Sequence, residues 1–391
     1  MNRTRTGATF AAPIIEARRW LDAATLPPGK PLLNVSQAAP TAPPPQALRQ
    51  AMAELALNDD SVHLYGPDLG LPALRAEIAS GWSRHYGGTI TPDQVAITSG
   101  CNQAFAAAIM ALTGEGDAVM LPSPWYFNHK MWLDMCGVTA LPLPTGDDLL
   151  PDPAEAARLL TPRTRAIALV SPNNPAGVEY PGSLLRAFYD LAKSRGIKLI
   201  LDETYRDFDS RPGPVHDLFT DPDWDQTLVD LYSFSKAFRL TGHRVGALIA
   251  APQIMHEAEK FIDTVTICPA QIGQHAALWG LRNLSEWLAG ERAEILARRA
   301  AIEAGFPALA AEGWKLRGLG AYFAFVEHPY DLPSDAVARA LIETAGMLLL
   351  PATMFAPEND RWTRTGLRIA FANLDVPGIE TLFDRLRGLR L

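Results

Sequence analysis

The sequence predicts an α/β protein: a large, mostly parallel sheet covered by helices on both faces, joined to a smaller α+β domain. Three observations predict it. From about Val95 to Ala250, short β-branched runs alternate with amphipathic helical segments, the pattern that sets parallel strands beneath crossover helices. At 391 residues, 48% of them hydrophobic, the chain can bury one large core and a second smaller one. After Gln271 the alternation gives way to a long stretch rich in Ala, Leu, Arg and Glu, and short strand and helix patterns follow it. The expected division is an arm over residues 1–48 that packs with the small domain, a large domain over 49–280 and a small C-terminal domain over 281–391.

Taken in order, Pro40 to Pro45 reads as an extended arm leading into a helix. The expected strands of the large sheet are Val95 to Thr98, Ala118 to Leu121, Ala166 to Val170, Leu199 to Leu201, Leu228 to Tyr232 and Val245 to Ala250, with a helix over Gln103 to Leu112. One helix is expected from Gln271 to about Ala304. Strands are expected at Gly320 to Val326, Ala345 to Leu350 and Leu367 to Ala370. Ligands of such sheets sit beyond the carboxyl ends of the strands. Ser99, Asn174, Asp202 and Lys236 each follow or end one of them.

The net charge of −8 and the absence of a basic block argue against nucleic acid as a partner. No apolar run approaches the roughly 20 residues needed to cross a bilayer. Cys101, Cys136 and Cys268 are far apart, with neither metal-ligand nor disulfide spacing, so a reducing, cytoplasmic setting is expected. Residues 1 to 15 carry Arg3 and Arg5 and no acid before Glu16, yet lack a signal-type apolar core.

The residue that carries most chemistry is Lys236, in Ser233-Phe234-Ser235-Lys236, with Gly242-His243-Arg244 after it and Leu201-Asp202-Glu203-Thr204-Tyr205 before it. A lysine that holds an aldehyde as an imine must be partly desolvated, so that its amine is neutral often enough to attack. Ser233, Ser235 and the planar fork of Arg244 supply a phosphate grip beside it, and Gly242 and Gly246 leave room for the backbone to approach. That grouping reads as a pyridoxal phosphate site. Ser99-Gly100-Cys101 opens a helix whose first amides add a second wall to the phosphate cup. Asp202, ending an apolar strand, must be paired or pointed into a cleft, and a pyridinium nitrogen is a suitable partner. Tyr205 and Asn174 can aim at the ring's 3-oxygen. Tyr126, with Trp125 as the alternative, offers a plate for a flat ring. Arg368 interrupts an apolar strand, where a buried guanidinium needs an anion: a substrate carboxylate or an internal ion pair.

The order Ser-Gly-x-Asn, aromatic plate, Asn-Pro-x-Gly, Asp-x-x-Tyr, Ser-x-Ser-Lys, Gly-x-Arg-x-Gly and late arginine resembles the class I/II, fold-type I aminotransferases, from Tyr65-Gly66 to Arg368. The resemblance implies pyridoxal 5'-phosphate as cofactor. It implies that Lys236 forms the internal aldimine and shuttles a proton, Asp202 pairs with the ring nitrogen, Asn174 and Tyr205 contact the 3-oxygen, and Tyr126 stacks. Ser99, Gly100, Cys101, Ser233, Ser235 and Arg244 would hold the phosphate, Arg368 the substrate α-carboxylate, and Tyr65 would reach the phosphate from the partner subunit of a homodimer. The chain departs from the family at Val35-Ser36-Gln37-Ala38-Ala39-Pro40, where a glycine is common, so the substrate wall at Ala38 is altered. It departs again at Ala176 and at Pro351-Ala352-Thr353-Met354-Phe355-Ala356.

The implied activity is transfer of an amino group from an amino acid to a 2-oxo acid. A C-S β-lyase is the alternative on the same apparatus, and a non-catalytic cofactor-binding regulatory domain the remote one. No second arginine is assigned to a distal carboxylate, and Gly320-Ala321-Tyr322-Phe323 suggests an apolar wall, so a neutral or aromatic donor is expected unless Arg206 or Arg317 faces the site.

Overall fold

The computed structural model describes residues 4–391. Arg3 therefore lies outside the described residues, while Arg5 pairs with Glu115 at 2.9 Å on the surface. The large sheet has seven strands in the order Val95–Thr98, Gly246–Ile249, Leu228–Ser233, Lys198–Asp202, Thr164–Val170, Ala118–Ser123 and Thr139–Pro144. All neighbours are parallel except Gly246–Ile249, which is antiparallel to the strand on either side of it. The inner strands are buried almost throughout and mostly apolar because both faces are covered. Helices Gln46–Asn58, Pro72–Tyr86, Gly182–Arg195 and Gln271–Asn283 bury one face through Leu48, Trp82, Phe188 and Ala276. Helices Cys101–Leu112 and Pro252–Thr266 bury the other through Phe105, Ile109 and Met255.

The edge strand Thr139–Pro144 was not foreseen. Two prolines obscure its pattern, and an edge position is where a strand tolerates them. The expected helix from Gln271 to Ala304 is two, Gln271–Asn283 and Ser285–Ala310, broken at Leu284, where Asn283 and Ser285 both favour helix ends. The expected single strand Gly320 to Val326 is instead a hairpin. Lys315–Gly320 and Phe323–Glu327 pair antiparallel about Ala321, whose φ of +46° makes the turn.

That hairpin belongs to a four-stranded sheet, ordered Leu350–Pro351, Gly366–Ile369, Phe323–Glu327 and Lys315–Gly320. Its core takes Leu341, Ile369 and Phe383 together with Ala17, Trp20 and Val35 from the N-terminal segment. Leu33 and Asn34 pair in parallel with Met347 and Leu348, and the Ala370 amide donates to the Val35 carbonyl at 2.8 Å. This stitching holds Ser36 to Ala39 above the carboxyl ends of the large sheet's strands, opposite Lys236.

Candidate active site

A cleft of about 440 Å³ opens at those strand ends and is lined by Ala38, Cys101, Tyr126, Asn174, Asp202, Tyr205, Ser233, Ser235, Lys236, Arg244 and Arg368. Lys236 lies on the single turn Phe234–Ala237 that follows strand Leu228–Ser233, and the Ser233 hydroxyl caps that turn by accepting the Ser235 amide at 3.2 Å. Its Nζ donates to the Ala38 carbonyl and lies 5.8 Å from the centre of the Tyr205 ring. Burial, with the charges of Arg244 and Arg368 adding to it, lowers the Lys236 pKa to about 7. The amine is thus neutral about half the time at neutral pH, as attack on an aldehyde requires.

The phosphate-sized corner is built from close approaches. Arg244 donates to the Ser235 hydroxyl at 3.2 Å and to the Thr241 carbonyl at 3.1 Å. A Cβ on Gly100 would lie 2.3 Å from the Arg244 Nη2, and one on Gly246 would lie 2.6 Å from the Gly100 carbonyl carbon. Both positions therefore exclude a side chain. Gly242 has open space around its would-be Cβ, so the expectation of a close approach there fails. The helix Cys101–Leu112 starts at Cys101 rather than Gln103, aiming its amino end into this corner. Ser99 and Gly100 do not line the cleft. The Ser99 amide is taken by the Gln103 side chain at 2.6 Å, and Gly100 packs beneath Arg244. Tyr65 is 79% exposed on the outer surface, away from the cleft of its own chain.

Asp202 is buried, accepting the Thr204 amide at 3.0 Å with one oxygen, while the other faces the His129 Nε2 at 3.3 Å. His129 is stacked on Phe105, ring centres 3.8 Å apart. It is a site residue the sequence reading missed: it was absorbed into the aromatic run, although it sits one helical turn beyond Tyr126. Tyr126 lines the cleft and accepts from the Asn128 amide at 2.8 Å, and burial with Asp202 nearby pushes its pKa up to about 12. Trp125 is buried in the core instead. Tyr205 is buried, and burial holds its phenol well above the usual range, so it stays protonated as a donor.

Arg368 is 2% exposed. It donates to Asn174 Oδ1 at 2.9 Å and to the Ser36 carbonyl, lies within 5 Å of the ring centres of Phe323 (4.9 Å) and Phe355 (4.8 Å), and leaves Nε without a partner. Burial lowers its pKa to about 10. Among the described residues no carboxylate pairs with it, so the internal ion pair weighed from sequence is not formed. Arg206 and Arg317 lie elsewhere: Arg317 pairs with Glu327 at 2.7 Å, and Arg206 stacks on Trp82. Tyr322 and Phe323 do not line the cleft; its apolar lining includes Ala12, Ile14, Ala39, Phe127 and Val170, joined by the amides Gln37, Asn102 and Asn128.

A half-neutral lysine, a buried acid facing the cleft and a cup that a Cβ would fill suit an aldehyde bearing a basic ring and a phosphate. The family model for aminotransferase class I and II matches residues 30–386. The chain belongs to the class I and II aminotransferases. An aromatic aminotransferase of Arabidopsis thaliana is 30% identical over 88% of this chain and 86% of its own length. The aspartate/prephenate aminotransferase of Thermus thermophilus is 26% identical over 91% and 90%. In fold, the N-succinyldiaminopimelate aminotransferase of Mycobacterium tuberculosis superposes with a TM-score of 0.88 over 99% of each chain at 24% identity. This aminotransferase uses pyridoxal phosphate, and its architecture is that of the fold-type I enzymes.

Proposed function

We propose that this aminotransferase acts on amino acids with neutral, chiefly apolar or aromatic side chains, in a homodimer whose two clefts are completed across the interface. The observation that carries the substrate reading is the charge inventory of the cleft. Its only cations among the described residues are Lys236, Arg244 and Arg368, and each has a task. None is left for a distal carboxylate, while Ile14 and Phe127 provide apolar wall. When bound, pyridoxal phosphate supplies the aldehyde that receives the amino group and a ring that spreads the electron pair left on the α-carbon.

The side chains divide the remaining work. Arg368, short of one acceptor and preset by Asn174 and Ser36, binds the α-carboxylate and so fixes the orientation of the α-carbon. Lys236 Nζ, near its pKa at neutral pH, takes and returns the α-proton. Asp202, held by the Thr204 amide and faced by His129, stabilises positive charge on the ring nitrogen. Asn174 and Tyr205 would donate to the ring's oxygen, and Tyr126 would lie against its face. Cys101, Ser233, Ser235 and Arg244 line the phosphate corner, with Gly100 setting the approach of Arg244 and Ser99 bracing the loop through Gln103.

The dimer reading rests on an apolar patch. Leu57 (82% exposed), Leu64 (67%), Tyr65 (79%) and Val265 (56%) are large and unpacked. Gly66 donates to Cys268 Sγ at 3.3 Å, and Gln103 reaches Thr266 at 3.2 Å, which ties the patch to the start of the phosphate helix. A partner covering it would bring its Tyr65 toward this corner.

The test is a visible-absorbance titration of the holoenzyme with a panel of amino acids. Phenylalanine, tyrosine, leucine and methionine should convert the cofactor to its amine form at lower concentrations than aspartate or glutamate, and a 2-oxo acid should restore it. Preference for the dicarboxylic donors would overturn the substrate reading; release of pyruvate without that return would turn it to a lyase.

A further inference from the structure

A second cavity of about 550 Å³ lies on the other side of strand Lys198–Asp202, between helix Pro72–Tyr86, the turn Arg206–Phe208 and the loop Asp209–Val215. Its charged groups are matched unequally. Among the acids at its wall, Glu77 is held by Arg282 at 2.8 Å, Asp209 by Arg211 and Asp207 by the Tyr232 hydroxyl, both at 2.5 Å. Arg292 spends its donors on the backbone carbonyls of Asp209, Ser210 and Arg211 and so shapes the loop. Arg206 is different. Its guanidinium carbon lies 3.4 Å from the centre of the Trp82 ring and 4.8 Å from that of Tyr232, so its flat faces are occupied by aromatics.

The edge is not. The side chain is 13% exposed and forms one long ion pair, from Nε to Asp207 Oδ1 at 3.9 Å. Among the described residues, the guanidinium makes one hydrogen bond, to the Tyr86 hydroxyl at 3.4 Å. The remaining N–H groups of its fork open toward the cavity rather than onto a hydrogen-bonding protein acceptor. The Tyr86 hydroxyl donates to Glu203 at 2.5 Å, and His216 faces Glu203 at 3.3 Å, so that buried acid has partners besides the nearby charge of Arg206. Arg84 stands exposed at the rim and extends the positive side outward.

We propose that this cavity binds a small molecule through a carboxylate or phosphate oxyanion, with Arg206 as the anchor. Trp82 and Tyr232 orient the fork by stacking, as aromatic faces do for guanidinium groups. An oxyanion in the cavity supplies the acceptors that the protein leaves out. Arg206 directly follows Tyr205, and its amide donates to the Glu203 carbonyl at 3.0 Å, one residue from Asp202. The bound anion therefore stands on the same turn that carries two groups of the active site.

The experiment uses the holoenzyme after borohydride reduction, which leaves the phosphate corner of the cleft filled. Calorimetric titration is run with inorganic phosphate in one arm and benzoate in the other, on the wild type, on Arg368→Gln and on Arg206→Gln. Binding of either probe that persists in R368Q and weakens about tenfold or more in R206Q supports the site and identifies its chemistry. Binding unchanged in R206Q, or no saturable binding of either probe, overturns it. Should R206Q fail to fold, phenylglyoxal labelling of the wild type decides the matter: the Arg206 peptide is protected by the anion in a saturable way, and labelling indifferent to both anions contradicts the proposal.

Discussion

Two arginines of this chain are largely withdrawn from water with fewer acceptors than donors, and their surroundings differ in an instructive way. Arg368 lies in the cleft between Phe323 and Phe355, tethered by Asn174 and Ser36, with Lys236 Nζ and Asp202 on the same cavity wall. Arg206 lies on Trp82 in the second cavity, with no lysine amine beside it and Asp207 3.9 Å from its Nε. A buried guanidinium short of acceptors marks a place for an anion in either case. What turns one place into a reaction centre is a desolvated amine within reach of the anion's α-carbon. On the proposed reading Arg206 has only recognition to offer, whereas Arg368 would position a substrate for chemistry.

The largest effect that sharpens this contrast is Lys236→Ala. It should abolish the visible band of the bound cofactor and reduce turnover by about 10⁴-fold, the upper range for a positioned proton carrier, while circular dichroism stays native. Arg368→Gln follows. Loss of the carboxylate anchor should lower kcat/KM by about 10²- to 10³-fold, mostly through KM, with the cofactor's band intact. Steady-state kinetics on both variants would break the account if R368Q were unimpaired. Arg206→Gln, by contrast, should leave kcat/KM within about twofold in the absence of added anions, because it touches neither substrate nor cofactor.

The pH dependence has a definite sign. The Lys236 pKa in the fold is about 7, below that of an exposed lysine, so the protonated amine is disfavoured there. Cofactor capture by the apoenzyme should be slow at acid pH and rise as pH passes upward through about 7; a profile flat from pH 6 to 8, measured by stopped-flow absorbance over about two units, would contradict it. By the same linkage the lysine's burial penalises the apoenzyme below that pH and releases the penalty as pH climbs toward the exposed lysine value. The smallest effect is expected at Asp230, on the Arg206 side. Burial, with Glu203 within hydrogen-bonding reach, pushes its carboxyl well above the usual range, and Trp82 donates to it at 3.1 Å. Asp230→Asn keeps both an acceptor for Trp82 and a donor for Glu203, so thermal denaturation should show a change of about 1 kcal/mol or less.

Much of the cleft was legible because its residues sit where strands end. Periodicity located six strands of the large sheet, and Asn174, Asp202 and Lys236 followed from their carboxyl ends. What was not legible has physical reasons. The edge strand at Thr139–Pro144 carries prolines that mask a period of two. The Lys315–Glu327 hairpin turns on Ala321, a residue with no turn signature of its own. His129 became visible only when its helix brought it behind Asp202, and the Ser99 amide is taken by the Gln103 side-chain oxygen, a contact no motif announces. Arg206 is the clearest example. Next to Tyr205 in sequence, it lines a different cavity, and only the packing on Trp82 shows where.

The central claim is that Lys236 is the amine that holds the cofactor. The most direct measurement is borohydride reduction of the holoenzyme followed by peptide mapping by mass spectrometry. The account predicts a single phosphopyridoxyl adduct on the peptide containing Ser233-Phe234-Ser235-Lys236. An adduct on another lysine, or none after reconstitution with pyridoxal phosphate, would contradict it.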